Sequence, residues 1–124
     1  MIQKQILSAT LAVSAIFVSH LPTVWAADSN LKCAEKAVIS YRPGPNWQKL
    51  EQALPAHLNF IDSLIKSAKF VAGGPFIGAD GQPSGAQMIL NTKNLSEAAA
   101  IASNDPLVTN KVSVAQIQLW LMCR

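Results

Sequence analysis

The sequence predicts an α+β subunit with the element order β-α-β-β-α-β, the ferredoxin-like split unit. Three observations predict it. Runs rich in β-branched and aromatic residues stand at 37–41, 70–76, 86–92 and 111–122, the composition of strands. Two stretches, 47–69 and 95–103, carry helical spacing or helix-start residues. Only the turn cluster Ala79-Asp80-Gly81-Gln82-Pro83-Ser84-Gly85 separates the middle two strands, so 70–92 reads as a hairpin.

Ahead of these elements, the first 26 residues have the form of a secretory signal. Lys4 supplies the positive start, Ile6 to Val18 is almost wholly apolar, and Pro22 ends the run. Val24 and Ala26 then stand at the −3 and −1 positions of a cleavage site. The apolar run is shorter than the roughly 20 residues that a membrane-spanning helix needs. The expectation is therefore a signal peptide at 1–26 and one domain at 27–124, secreted or periplasmic, with no membrane association after cleavage.

The chain carries 10 Lys and Arg against 7 Asp and Glu, a formal charge of +3. The basic residues are scattered, with no basic run and no aromatic interleaving, which argues against a nucleic-acid partner. Two cysteines, Cys33 and Cys123, lack the short spacing of a metal site, and no metal is expected.

Ala37 to Tyr41 makes the first strand, and Arg42-Pro43-Gly44-Pro45-Asn46 must leave it, because two prolines around a glycine cannot continue a ladder. Asn46 is the expected N-cap of a helical turn from Trp47 to Leu54, and Pro55 is expected to kink or restart the helix. Leu58, Ile61, Leu64, Ile65 and Ala68 form the expected buried stripe, with His57 offset from it at the border of the core. Phe70 to Phe76 and Ala86 to Thr92 are the hairpin strands. Asn94 caps a second helix at Leu95–Ser103, and Asn104-Asp105-Pro106 stops it. Residues 107–110 suit one helical turn. In the last strand Val112, Val114, Gln116, Gln118 and Trp120 alternate with Ser113, Ala115, Ile117, Leu119 and Leu121. Both sets contain apolar groups, so both sides should be covered.

Four strands with two helices on one face leave the other face bare. The expectation is a homodimer through that open sheet face. The usual strand order of this unit makes the first and last strands antiparallel neighbours, which would set Cys33 beside Cys123. A disulfide there is chemically open to an exported protein, the alternative being two free buried thiols.

His57 is the first candidate for chemistry, since imidazole exchanges protons near neutral pH. The bland alternative is a helix-start histidine bound to backbone. Asp105 is the second: a carboxylate beside an imidazole fixes its tautomer, whereas an aspartate before proline is also a common cap. Arg42 and Tyr41, at the end of strand one, could hold an anionic ligand. Asp62 falls on another helical face and should be solvated. Trp47 and Trp120 read as packing residues. Gly73-Gly74-Pro75 lacks the Lys-Ser/Thr of a phosphate loop and reads as a strand end needing close backbone approach.

Taken in order, Tyr41-Arg42-Pro43-Gly44-Pro45-Asn46-Trp47, His57-Leu58, Gly73-Gly74-Pro75-Phe76, Gly81, Glu97-Ala98, Asp105-Pro106 and Trp120 resemble the YCII-related family of dimeric α+β barrel proteins, over about 37–121. The resemblance implies a ferredoxin-like subunit packed sheet to sheet on its twin, with a pocket between sheet and helices near His57. It also implies that His57 and Asp105 form a catalytic pair. Relatives in the wider superfamily isomerise or dehalogenate muconolactones. The leader and the two terminal cysteines depart from the cytoplasmic pattern of the family.

Two functions compete. One is an isomerase- or lyase-type enzyme in which His57, oriented by Asp105, moves a proton on a small oxygenated, lactone-like organic acid anchored by Arg42. The other is a non-catalytic exported module that binds a small apolar ligand in the same pocket. His57 is the lone side chain that could ligate a haem, and no cofactor is expected.

Overall fold

The computed structural model describes residues 30–124. The signal-peptide reading falls on residues outside that range. Strand β1 spans Cys33–Pro43, followed by a 3-10 turn at Trp47–Lys49 and helix α1 at Leu50–Lys66. Strands β2 (Phe70–Ile77) and β3 (Pro83–Leu90) form the hairpin, helices α2 (Leu95–Ser103) and α3 (Pro106–Thr109) follow, and β4 (Ser113–Cys123) closes the chain. The sheet order is β2-β3-β1-β4. This is the α+β ferredoxin-like arrangement, with antiparallel pairing of β3 to both β1 and β2.

The core lies in the unit Glu35–Trp120 and follows from strand alternation. Ala37, Ile39 and Tyr41 point from β1 to the helix side, where they meet Met88, Leu90, Leu64, Ala98 and Ala102. Ala98 and Ala102 are one helical turn apart, so α2 presents only methyl groups there and can lie close to the sheet. Ile39 is fully buried, a burial that contributes about 2 kcal/mol.

The segments 30–34 and 121–124 form a second unit. Lys32 and Arg124 exchange two backbone hydrogen bonds, each 2.9 Å. Cys33 and Cys123 are joined by a disulfide with their Cα atoms 4.0 Å apart. The sequence separation of 90 makes the closed loop long, and the chain-entropy account gives a stabilisation of about 4 to 5 kcal/mol. No helix among the described residues is long and apolar enough to cross a membrane.

Several local expectations are corrected. Helix α1 runs unbroken through Pro55. Proline there removes only the hydrogen bond to the Glu51 carbonyl, and Glu51 is exposed to water. Asn46 makes no side-chain cap; its amide instead donates to the Asn110 carbonyl at 3.0 Å. The buried stripe of α1 is rotated, with His57, Ile61 and Leu64 turned inward, whereas Leu58 and Ile65 are more than half exposed. On β4, Val114 and Trp120 are exposed on the side away from the helices, so the described residues do not cover that side, and Leu119 is exposed on the other.

Candidate functional site

Three elements bring three side chains together in the Glu35–Trp120 unit. Tyr41 comes from the helix side of β1, and His57 from the inward face of α1. Asp105 is the N-cap of α3, with an extended backbone and Pro106 at the first helical position. Asp105 is therefore at once a helix cap and a neighbour of the imidazole. Its Oδ1 accepts the Leu107 N–H at 2.9 Å, as a cap does. The same oxygen lies 2.9 Å from His57 Nδ1, and Oδ2 accepts the Tyr41 hydroxyl at 2.8 Å.

The Asp105 side chain is 0% exposed and that of His57 14%. A carboxylate so buried needs its oxygens occupied, and three donors from three elements occupy them. Tyr41 can only donate here. Burial raises its pKa far above the ordinary phenol value, and the Asp105 charge and hydrogen bond push the same way. With Asp105 acting as acceptor toward all three, His57 Nδ1 carries the proton. Among the described residues, no protein group pairs with Nε2, which is left with its lone pair. Tyr41 meets the imidazole edge-on at 6.1 Å, and Phe60, one turn further along α1, stacks on it at 6.5 Å. The ring is thus held by one hydrogen bond and two aromatic neighbours.

His57 and Tyr41 line a cavity of about 420 Å³, in the ordinary range of ligand sites. Its walls include Trp47, Leu54 and Met88, with no Lys, Arg, Asp or Glu among the lining residues. Gly73 and Gly85 shape one wall, and neither tolerates a side chain. A Cβ at Gly73 would sit 2.8 Å from the Gln87 carbonyl oxygen, and one at Gly85, whose φ is +154°, 2.6 Å from that of Tyr41. The close approach read from Gly73-Gly74-Pro75 is present at Gly73 alone: a Cβ at Gly74 would meet open space, and the strand continues past them to Ile77.

Of the residues singled out from the sequence, the fold unites His57, Asp105 and Tyr41. Arg42 is exposed and does not line the cavity, because alternation along β1 sends it to the side opposite Tyr41. Asp62 is exposed and pairs with Lys66 at 2.8 Å. Trp47 lines the cavity, whereas Trp120 is exposed, a correction to its reading as a packing residue. Sequence reasoning missed Ser113, which is buried and lines the cavity. The available signal was a hydroxyl on the same face of β4 as Ala115 and Ile117. Among the described residues, no three of His, Cys, Asp or Glu gather as metal ligands.

The YCII-related domain profile matches residues 34–121. The chain belongs to the YCII-related family. A comparison with curated proteins finds no match. Among solved structures, the chain is similar to 5-chloro-2-hydroxyhydroquinone dehydrochlorinase from Burkholderia phenoliruptrix, in complex with 2,5-dihydroxybenzoquinone. That likeness has a TM-score of 0.56 and 24% identity, and covers 68% of this chain and 92% of that one. A Shewanella oneidensis protein aligns at a TM-score of 0.48 and 10% identity over 76% of this chain and 98% of its own. A Methanosarcina mazei protein aligns at 0.46 and 13% over 69% and 90%. At these identities the likeness is one of fold.

Proposed function

We propose that this YCII-related chain is an acid–base enzyme of isomerase or lyase type, acting on a small oxygenated ring compound bound in the cavity beside His57. One observation carries the reading: Asp105 Oδ1 lies 2.9 Å from His57 Nδ1 while two further donors fill the same carboxylate. Nε2 is then a base facing an apolar space. It takes a proton from a ring hydroxyl or an activated C–H, and the imidazolium so formed is stabilised by Asp105. The proton returns to a different ring atom in an isomerisation, or stays on the protein while a leaving anion departs in an elimination. The cavity lining has no cation for a carboxylate, so the reading favours an uncharged lactone, phenol or quinone over an organic acid held by Arg42. The activity of the Burkholderia relative on a chlorinated hydroxyhydroquinone is of the same chemical kind.

The test is a turnover screen of lactones and of hydroxylated and chlorinated ring compounds with the wild type and His57→Gln. A substrate whose turnover falls by about 10²- to 10⁴-fold in the variant supports the reading. Equal turnover in both proteins sinks it.

Two further proposals accompany it. The homodimer is supported by Phe76, Val114 and Trp120, exposed on the sheet face without helices; Trp120→Glu should yield a monomer by sedimentation equilibrium. Export is supported by the Cys33–Cys123 bridge, which fits an oxidising compartment, and by the leader-like residues 1–26. Mature protein recovered with a new N-terminus at Ala27 would bear it out.

A further inference from the structure

We infer that Ser113 is a second polar anchor of the cavity, and that the ligand is an uncharged ring carrying two oxygen functions, one toward His57 Nε2 and one toward the Ser113 hydroxyl. The inference rests on the acid–base reading of the cavity and specifies its ligand.

Ser113 opens β4 and is 2% exposed, yet its Oγ has no hydrogen-bond partner among the described residues. Buried hydroxyls are nearly always paired, and one that is not loses its hydration without return. Apolar residues would serve packing better at that position, as Ala115 and Ile117 do on the same face of the strand. Ser113 lines the His57 cavity beside Leu107, the residue whose N–H fixes Asp105. The Tyr41 hydroxyl proton and His57 Nδ1 are both committed to Asp105. His57 Nε2 therefore offers the cavity one polar atom that the protein does not use, and Ser113, whose unpaired Oγ is closed off in this structure, offers a second once its side chain turns into the cavity. With no charged wall to hold an anion, the matching ligand atoms are hydroxyl or carbonyl oxygens. A cavity of about 150 Å³ already binds benzene, so about 420 Å³ accommodates a substituted ring. Ser113 also lines a second cavity of about 460 Å³ toward α2, and a side-chain rotation to that side would give its hydroxyl to water instead.

The experiment measures calorimetric affinities of the full chain for phenol, catechol, resorcinol and hydroquinone, in wild type, Ser113→Ala and His57→Gln. Expected is a preference of about three- to tenfold for one of the diols over phenol, set by oxygen spacing. Ser113→Ala should erase that preference and leave phenol unchanged. The Tm of unliganded Ser113→Ala should match or exceed that of wild type, because the orphan hydroxyl is gone. Unchanged affinities in Ser113→Ala overturn the inference, whether its Tm falls or not, and so does failure of all four compounds to bind at millimolar concentration. Ser113→Cys keeps the volume with a weaker hydrogen bond and gives the same comparison if the alanine variant folds poorly. Turnover undiminished in His57→Gln would end the acid–base reading while leaving the diol preference in place, so the two failures are distinct.

Discussion

Asp105 and Asp62 hold basic partners at almost the same distance, 2.9 Å to His57 and 2.8 Å to Lys66. Little else about them is alike. Asp62 is one turn from its lysine on an exposed stretch of α1, where water solvates both charges and the side chains lose rotamer freedom to meet. Asp105 is sealed from water and is reached by groups from α1, β1 and its own helix. Distance alone therefore says little about what an ion pair contributes; burial and the number of donors decide it. The buried carboxylate, with three fixed donors, also sets the tautomer of the imidazole it holds.

The largest break in this contrast is Asp105→Ala. It strips the acceptor from Tyr41, His57 and the first turn of α3 together, and should lower unfolding stability by about 3 to 5 kcal/mol, read from urea denaturation. Nitrogen NMR of His57 should show the Nδ1-protonated tautomer in the wild type and its loss in the variant. A small stability change with the tautomer preserved would refute the network.

Tyr41→Phe comes next. It leaves Asp105 Oδ2 without a donor, for a loss of about 1 to 3 kcal/mol. The pH dependence has a definite sign. In the unfolded chain Tyr41 ionises near 10.0, and burial, then Asp105, raise that value in the fold. Stability from this group is thus complete below pH 10.0 and declines as pH rises beyond it. Urea midpoints on either side of pH 10.0 should fall in the wild type by more than in Tyr41→Phe. Tyr41 is the only tyrosine in the sequence, so phenolate absorbance reports it alone.

The strand and helix order was legible because each element carries its own signal, such as the Asn94 cap of α2 or the turn cluster at 79–85. The stripe of α1 was not. Leu54, Leu58, Ile61, Leu64 and Ile65 form an apolar band wider than one packed face, and only the sheet beneath decides which half is buried. His57 and Asp105 were candidates by residue type alone, each with a bland alternative, and were read as a catalytic pair only through family resemblance. The hydroxyl that completes their site comes from Tyr41, 64 positions from Asp105, and no local pattern announces such a contact. Trp120 failed for the opposite reason. Its composition signals burial, and the described residues leave it 42% exposed.

A smaller effect lies just beyond the surface pair, at the end of the same helix. Ala68 has φ of +60°, and the Ala68 and Lys69 N–H groups bond back to Ile65 and Leu64, a Schellman cap in the position that favours glycine. Ala68→Gly should raise stability by about 1 kcal/mol. If it destabilises, the left-handed residue is held by something other than the cap. A gain would show backbone conformation outweighing a short ion pair one turn away.

The smallest change expected is that of the surface pair itself. In Asp62→Asn the urea midpoint should stay within experimental scatter. The hydrogen bond to Asp62 raises the Lys66 pKa, so what little the pair contributes is present below 10.5 and is lost as pH climbs through the raised value. Glu97 runs the other way. The hydrogen bond from Lys69, then that from Thr92, lowers its pKa, so its contribution is present above 4.5 and is lost as pH falls. Both contributions should fade with added salt, whereas the Asp105 network should not. An Asp62→Asn loss that rivals Tyr41→Phe would mean that burial does not separate the two aspartates.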